Sequence, residues 1–295
     1  MMIDFSDWEE YEGLSEGSGR SEKIWLKNPV DGRIGLFKYT KSETTTEHIS
    51  EKIAELLAEK IGLKTAHIDI GTYHDRIGCM SYLINANGEI LVEGVTLITI
   101  YYPDYDQEKL WDFIKNEYYS LEMIFKAVSE YNLQDDIIKM VIFDSIIGNS
   151  DRHHSNWAIL QKGMETRICP LYDNGSSLCF CLSEDNIKTY LGNDKMKFNS
   201  LVDSKSKSMI RISSTVNKRP THNQVLQYIS ENFMKDSLKV WVKSIGKRLT
   251  KETVDGILIS FIDDRFSKDK AELLSRFICK KISILESIFR GKEEQ

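Results

Sequence analysis

Asp151 and Asn156 stand five positions apart in the segment Ile147-Gly148-Asn149-Ser150-Asp151-Arg152-His153-His154-Ser155-Asn156-Trp157. A loop aspartate can accept a hydroxyl proton, and an asparagine just downstream can offer its amide oxygen to magnesium. Phosphoryl transfer needs both. A second carboxylate, Asp173, stands in Pro170-Leu171-Tyr172-Asp173-Asn174-Gly175, where Gly175 frees the backbone. Magnesium is a hard ion, held by one or two carboxylates together with substrate phosphates, so Asn156 and Asp173 could share one. Either segment alone also fits a plain hydrogen-bonded turn. Their order, with a strand-like stretch between them, favours catalysis.

Further candidates lie upstream. Leu14-Ser15-Glu16-Gly17-Ser18-Gly19-Arg20-Ser21-Glu22-Lys23 holds two glycines and three serines. Such a stretch lets backbone N–H groups close on phosphates, although a Gly-Ser run near an N-terminus is more often plain flexible chain. Lys38 ends Leu36-Phe37-Lys38-Tyr39. A strand lysine is ordinarily solvated, yet two downstream glutamates, Glu51 and Glu55, offer it a partner. His153 and His154 could ligate zinc, but no other His or Cys lies at a useful spacing. His153 is read as a brace for the loop and His154 as exposed.

Asp151 and Asn156 need rigid flanks. Asp135 to Ile147 has helical periodicity and is apolar enough to be central in a larger lobe, with Gly148 placed to end it. Trp157 to Leu160 and Ile168 to Leu171 read as strands. Upstream, Ser21 to Leu26 and Ile34 to Tyr39 form a hairpin about Asn28-Pro29-Val30-Asp31-Gly32. Thr46 to Ile61 is a helix closed by Gly62, and Ala66 to Thr72 and Ile77 to Ile84 are strands. Gln107 to Asn116 and Ser120 to Tyr131 carry helical spacing. Residues 183–218 are polar and weakly patterned, and amphipathic helices fill Asn223 to Arg290, restarting near Thr250. The expected architecture is α+β and bilobal. Residues 1–84 form a small strand-rich lobe, and residues 85–295 a larger helical lobe with the catalytic loop and metal motif. A nucleotide would lie in the cleft between them.

Composition narrows the class. A chain of 295 residues, 41% apolar and 28% charged, suits a globular enzyme. A net charge of -6 argues against a dedicated nucleic-acid binder. Lys205 to Arg219 leans basic but is broken by serines and a threonine, and reads as a solvated loop. Five cysteines, Cys79, Cys169, Cys179, Cys181 and Cys279, match neither a disulfide framework nor a zinc knuckle. They read as buried free thiols, with Cys179 and Cys181 on one face of a strand. The N-terminus lacks signal-peptide regions, and no apolar run reaches the ~18 residues that span a membrane. A bacterial cytoplasmic location is expected, with signal-independent secretion left open.

At these residues the chain resembles the HipA-like serine/threonine kinases, in their minimal, CtkA-like form. Gly148 to His153, through Asn156, looks like that family's catalytic loop, and Leu171-Tyr172-Asp173 like its metal-binding motif. Ser50-Glu51-Lys52-Ile53-Ala54, continuing through Ile61-Gly62-Leu63 to Gly71-Thr72-Tyr73, is similar to its small-lobe helix and next strand. The resemblance covers roughly residues 14–182 and implies a protein-kinase-like fold using ATP and Mg2+. It implies Asp151 as base, Asn156 and Asp173 as metal ligands, and Lys38 as the phosphate-binding lysine paired with Glu51. Gly17, Ser18 and Gly19 would hold the nucleotide, and Met80, Tyr82 and Leu83 would belong to an adenine-binding connector, meeting the base through backbone groups. Autophosphorylation of a loop serine is also implied, at Ser18 ahead of Ser15 and Ser21. Full-length HipA proteins carry a longer segment before this loop, which puts an antitoxin dimer or operator DNA in doubt here: either a separate small partner or antitoxin protein supplies that segment, or the kinase stands alone.

The expected activity is therefore serine/threonine phosphorylation of a protein substrate, of a toxin type acting on a translation component. A phosphoinositide-kinase-like lipid kinase is the alternative, since those enzymes share an Asp-Arg-His…Asn loop. The negative net charge and the lack of a basic amphipathic surface weigh against it. A pseudokinase binding module is the third reading, opposed by the presence of base, both metal ligands and strand lysine. Neither nucleic acid nor membrane is expected as a partner.

Overall fold

The computed structural model describes residues 2–14, 22–42, 44–86, 88–233 and 235–290. Six strands of the first part form one curled sheet: β1 (Ile3–Asp4), β2 (Glu9–Glu10), β3 (Lys23–Lys27), β4 (Ile34–Tyr39), β5 (Ile68–Tyr73) and β6 (Arg76–Tyr82). Their spatial order is β1-β5-β6-β4-β3-β2. β1 runs parallel to β5, and the other pairings are antiparallel. Helix α1 (Glu47–Lys60) crosses from β4 to β5 and ends at Gly62, whose φ of +77° suits glycine. Side chains alternate across a strand. Phe37 therefore enters an aromatic cluster with Phe5, Trp8, Leu26, Tyr73 and Met80 on one face. Lys38 is left on the opposite face, in register with Cys79.

From Ile90 onward the chain is mainly helical. β7 (Ile90–Glu93) leads into α2 (Gly94–Tyr101), followed by three very short strands, β8 (Tyr105–Asp106), β9 (Trp111–Asp112) and β10 (Glu117–Tyr118). Helices α3 (Leu121–Ala127) and α4 (Gln134–Ile147) precede β11 (Ala158–Lys162) and β12 (Glu165–Ile168), which join β7 in a three-stranded sheet. The remainder is α5 (Glu184–Leu191), α6 (Lys195–Val202), α7 (His222–Asn232), α8 (Asp236–Arg248), α9 (Lys251–Ile259) and α10 (Lys268–Arg290). α4 is the centre of this part: Ile137, Ile138, Val141, Ile142, Phe143, Ile146 and Ile147 are all buried, and α7 and α10 pack on it. The fold is the expected α+β arrangement, a strand-rich sheet unit beside a helical one.

Several expectations are corrected. Gln107 to Asn116 is no helix; it holds the turns of the β8–β10 sheet. The Asp106 carboxylate accepts from the Glu108 and Lys109 N–H groups, and Asp112 from that of Lys115. Leu110 and Asn116 adopt left-handed backbone. Such side-chain-to-backbone bonds compete with helix formation. Residues 183–218 contain α5 and α6, whose N-caps Ser183 and Asp194 accept bonds from first-turn amides. The stretch from Lys205 to Arg219 is not simply solvated: Ser206, Ser208, Arg211 and Ser214 are buried. Cys179 and Cys181 lie in a turn, with Cys179 at φ +53°. Cys79 and Cys169 are buried, Cys179 and Cys279 half-buried, and Cys181 exposed. Among the described residues no helix is long and apolar enough to cross a membrane.

Candidate active site

The loop after α4 is held by its own hydrogen bonds. Gly148 ends the helix at φ +68°, and Asn149 folds back, its N–H and side-chain amide both donating to Asp144. The Asn149 side-chain oxygen then accepts from the Asp151 N–H at 3.0 Å. Asn156 donates its side-chain amide to the Asp151 carbonyl at 2.8 Å, which turns its Oδ1 away from that bond. Arg152 ties the loop together: its guanidinium donates to Asp144, to the carbonyls of Asn156 and Tyr172, and to Asn174 Oδ1. Burial alone would lower Arg152, but the Asp144 carboxylate outweighs it and keeps the guanidinium charged. A buried charge satisfied on every side fixes one geometry.

Lys38, Glu51 and Asp173 meet across the cleft. Lys38 Nζ lies 3.3 Å from Glu51 Oε1 and 2.9 Å from Asp173 Oδ1. Burial alone would push the ammonium down, but Asp173 and then Glu51 hold it above the ordinary lysine range. Asp173 feels the reverse: burial would raise it, and Lys38 brings it to about 2. Asp173 has a φ of +55°, a conformation that a non-glycine residue holds only when its surroundings impose it. The imposing bond runs from the Asn174 N–H to Glu51 Oε2 at 2.8 Å. Gly175 has no positive φ, and a Cβ there would make a tight 3.3 Å contact with the Glu47 carbonyl of α1. Glu55, the other candidate partner, sits one turn along α1 and bonds the His67 ring and the Ile68 N–H.

These residues line a cleft of about 760 Å3 that also contains Lys41, Cys79, Asp151, His153 and Ser155. Burial and the nearby Asp173 charge raise Asp151 against the pull of His153, Arg219 and Lys41. Asp173 and Asn156 are the oxygen donors that could hold magnesium. The donor chemistry fits, because Asp173 stays ionised and two protein ligands leave room for phosphate and water. Among the described residues no three His, Cys, Asp or Glu side chains converge into a metal cage. His154 is buried, its Nδ1 paired with the Tyr105 hydroxyl at 3.0 Å, which corrects its expected exposure. His153 accepts the Ser155 N–H on Nδ1, bracing the loop.

The connector is less open than expected. Met80 and Tyr82 turn their side chains toward the aromatic cluster, away from Lys38. The Tyr82 and Leu83 N–H groups donate to the carbonyls of His67 and Ile34. Ser15, Gly17, Ser18, Gly19 and Ser21 lie outside the described residues. Sequence reasoning missed Asp144, Arg152, Asn149, Arg219 and His222 as support. One signal existed: Asp144 is the charged residue within the largely apolar stretch Met140 to Ile147, four residues before the glycine that ends the helix.

The family described as HipA-like C-terminal domain matches residues 17–237. The serine/threonine-protein kinase CtkA of Helicobacter pylori strain J99 is 25% identical over 204 residues, 60% of this chain and 56% of CtkA. The chain thus spans little more than half the length of that curated relative. The crystal structure of the H. pylori proinflammatory kinase CtkA superposes with a TM-score of 0.79 at 19% identity, over 98% of this chain and 99% of that one. Shewanella oneidensis HipA, solved with HipB and operator DNA, superposes at 0.56 and 15% identity, over 97% and 67%. Likeness at such identity speaks for the fold, which hosts more than one chemistry. With the family match spanning most of the chain, this protein belongs to the HipA-like kinase family, in a CtkA-like form.

Proposed function

We propose that the protein is an ATP- and Mg2+-dependent serine/threonine protein kinase. The observation that carries the reading is the convergence of Lys38, Glu51, Asp151 and Asp173 on one cleft from four separate segments, with Asn156 bonded to the Asp151 carbonyl. Bound magnesium would neutralise charge on the phosphates. Lys38, already charged between two carboxylates, can turn from Asp173 to a phosphate oxygen while keeping Glu51. Asp151 can accept the proton of the incoming hydroxyl, and its backbone carbonyl accepts the Asn156 side-chain amide, which ties the two residues of the loop to each other. Arg152, fully buried, holds both the Asn156 and Tyr172 carbonyls, so the base and the metal ligand Asp173 move as one unit.

The reading extends to autophosphorylation of a serine among Ser15, Ser18 and Ser21, and to a toxin-type role on a translation component, both supported by the resemblance. The experiment is incubation with Mg2+ and γ-labelled ATP, with a serine-containing protein pool in one arm and phosphatidylinositol vesicles in another. Label on protein serine or threonine supports the reading. Label on lipid alone would replace it with the lipid-kinase alternative, and ATP binding with no transfer in any arm would favour a binding module.

A further inference from the structure

A second segment, 206–222, whose Met209 lines the cleft, grips the catalytic loop through Arg219 and His222. Its ends are pinned together: the Ser208 N–H donates to the Pro220 carbonyl and the His222 N–H to the Ser206 carbonyl, each at 3.0 Å. Its middle is tied to β10 and the start of α3, where Tyr118 N–H donates to the Ser214 carbonyl and Leu121 N–H to that of Arg211. Two side chains of this closed segment reach the catalytic loop. His222, fully buried, is a neutral imidazole, because burial brings it to about 3. A carbonyl can only accept, so Nε2–H donates to the Asn149 carbonyl at 2.9 Å, and Nδ1 accepts from the Ser206 hydroxyl at 2.9 Å. Arg219 is the other. Its Nη2 donates to the Ser150 carbonyl at 2.6 Å and to that of Lys207 at 3.3 Å, while Nε donates to Ser208 at 2.9 Å.

We propose that Arg219 is a positioning residue for the base: its guanidinium fastens the Ser150 carbonyl, one residue before Asp151, to the closed 206–222 segment. The inference rests on reading Asp151 as the base. Every partner of Arg219 in these bonds is a backbone carbonyl, so it spans two pieces of chain with one rigid fork; its charge also pulls on Asp151, and Arg219→Lys keeps that charge while losing the fork. Lysine carries the charge but cannot span both carbonyls, because its ammonium is a point donor on a flexible stem. The inner side of the loop is held by Arg152 and Asn149; the outer carbonyls, at 149 and 150, are held by His222 and Arg219. Loss of the outer tie leaves the nucleotide side of the cleft, Lys38, Glu51 and Asp173, untouched.

The test compares wild type, Arg219→Ala and Arg219→Lys by hydrogen exchange and by kinetics, after unfolding curves show all three folded. The amides of Asn149, Ser150, Asp151 and His153 are bonded to the Asp144 carbonyl, the Ser176 carbonyl, Asn149 Oδ1 and the Asp151 carbonyl, so their exchange reads the loop's opening. Expected is exchange at least tenfold faster in this stretch for Arg219→Ala, with no change at residues 36–40. The kcat for phosphate transfer should fall roughly ten- to a hundredfold, as a small misplacement of a base does, with Mg·ATP affinity held within twofold. Arg219→Lys should recover only part of either effect, and methylguanidinium added to Arg219→Ala should restore kcat. Unchanged exchange at 149–153, or an equal loss of Mg·ATP affinity, would overturn the proposal. If wild type transfers no phosphate, the kinase reading fails, and the exchange arm alone decides whether Arg219 holds the loop.

Discussion

Asp151 is set apart from its neighbours by what its carboxylate lacks. Asp144 and Asp173 are each bonded to a cation, whereas the Asp151 carboxylate faces the cleft without one among the described residues; burial and the Asp173 charge raise it. A base works only when deprotonated, so the rate should fall on the acid side. The midpoint should lie above the usual carboxylate value near 4. A kcat profile whose acid limb sits at or below that value would contradict the assignment. Arg152 makes a different prediction. It is 1% exposed, and its removal strands the Asp144 carboxylate, itself 3% exposed, without a counter-charge. Arg152→Ala should cost about 3–5 kcal/mol in urea unfolding, the usual loss when one member of a buried pair is deleted.

At the scale of elements, the junction between α4 and the catalytic loop is the most demanding point. Gly148 has φ +68°, and a Cβ there would come within 2.8 Å of the Phe277 ring of α10. Gly148→Ala should destabilise the protein by roughly 1–3 kcal/mol from the backbone alone, and urea unfolding together with transfer activity would check it. α4, its glycine stop and the β3–β4 hairpin were legible in sequence because their signals are local: an apolar helical run, a left-handed cap, a turn cluster. Lys38 with Glu51 was half legible, since α1 offers Glu51 and Glu55 one turn apart and only the sheet's placement decides between them. The β8–β10 sheet was not legible. Its strands are two residues long, and Asp106 and Asp112 bond backbone amides that a helical reading leaves to the helix. His222 and Arg219 were hidden because their partners lie some seventy residues away, and His154 because its burial depends on Tyr105.

Across the whole molecule, the sheet unit brings Lys38 and Glu51, the α4–β11 loop brings Asp151 and Asn156, and the stretch after β12 brings Asp173. Arg152 locks the last two together and the Asn174–Glu51 bond ties the last to the first, an arrangement suited to the charge stabilisation that phosphoryl transfer needs. This predicts a division of labour between two carboxylates in one cleft. The most direct test is intact-mass and phosphosite analysis after incubation with Mg2+ and γ-labelled ATP, run beside nucleotide titration, for wild type, Asp151→Asn and Asp173→Ala. The predicted result is phosphate on a serine of the 15–21 stretch in wild type. Asp151→Asn should lose transfer by about a thousandfold or more while binding Mg·ATP normally, and Asp173→Ala should lose both. Phosphate incorporated equally by wild type and Asp151→Asn, or identical nucleotide titrations for the two variants, would contradict the account.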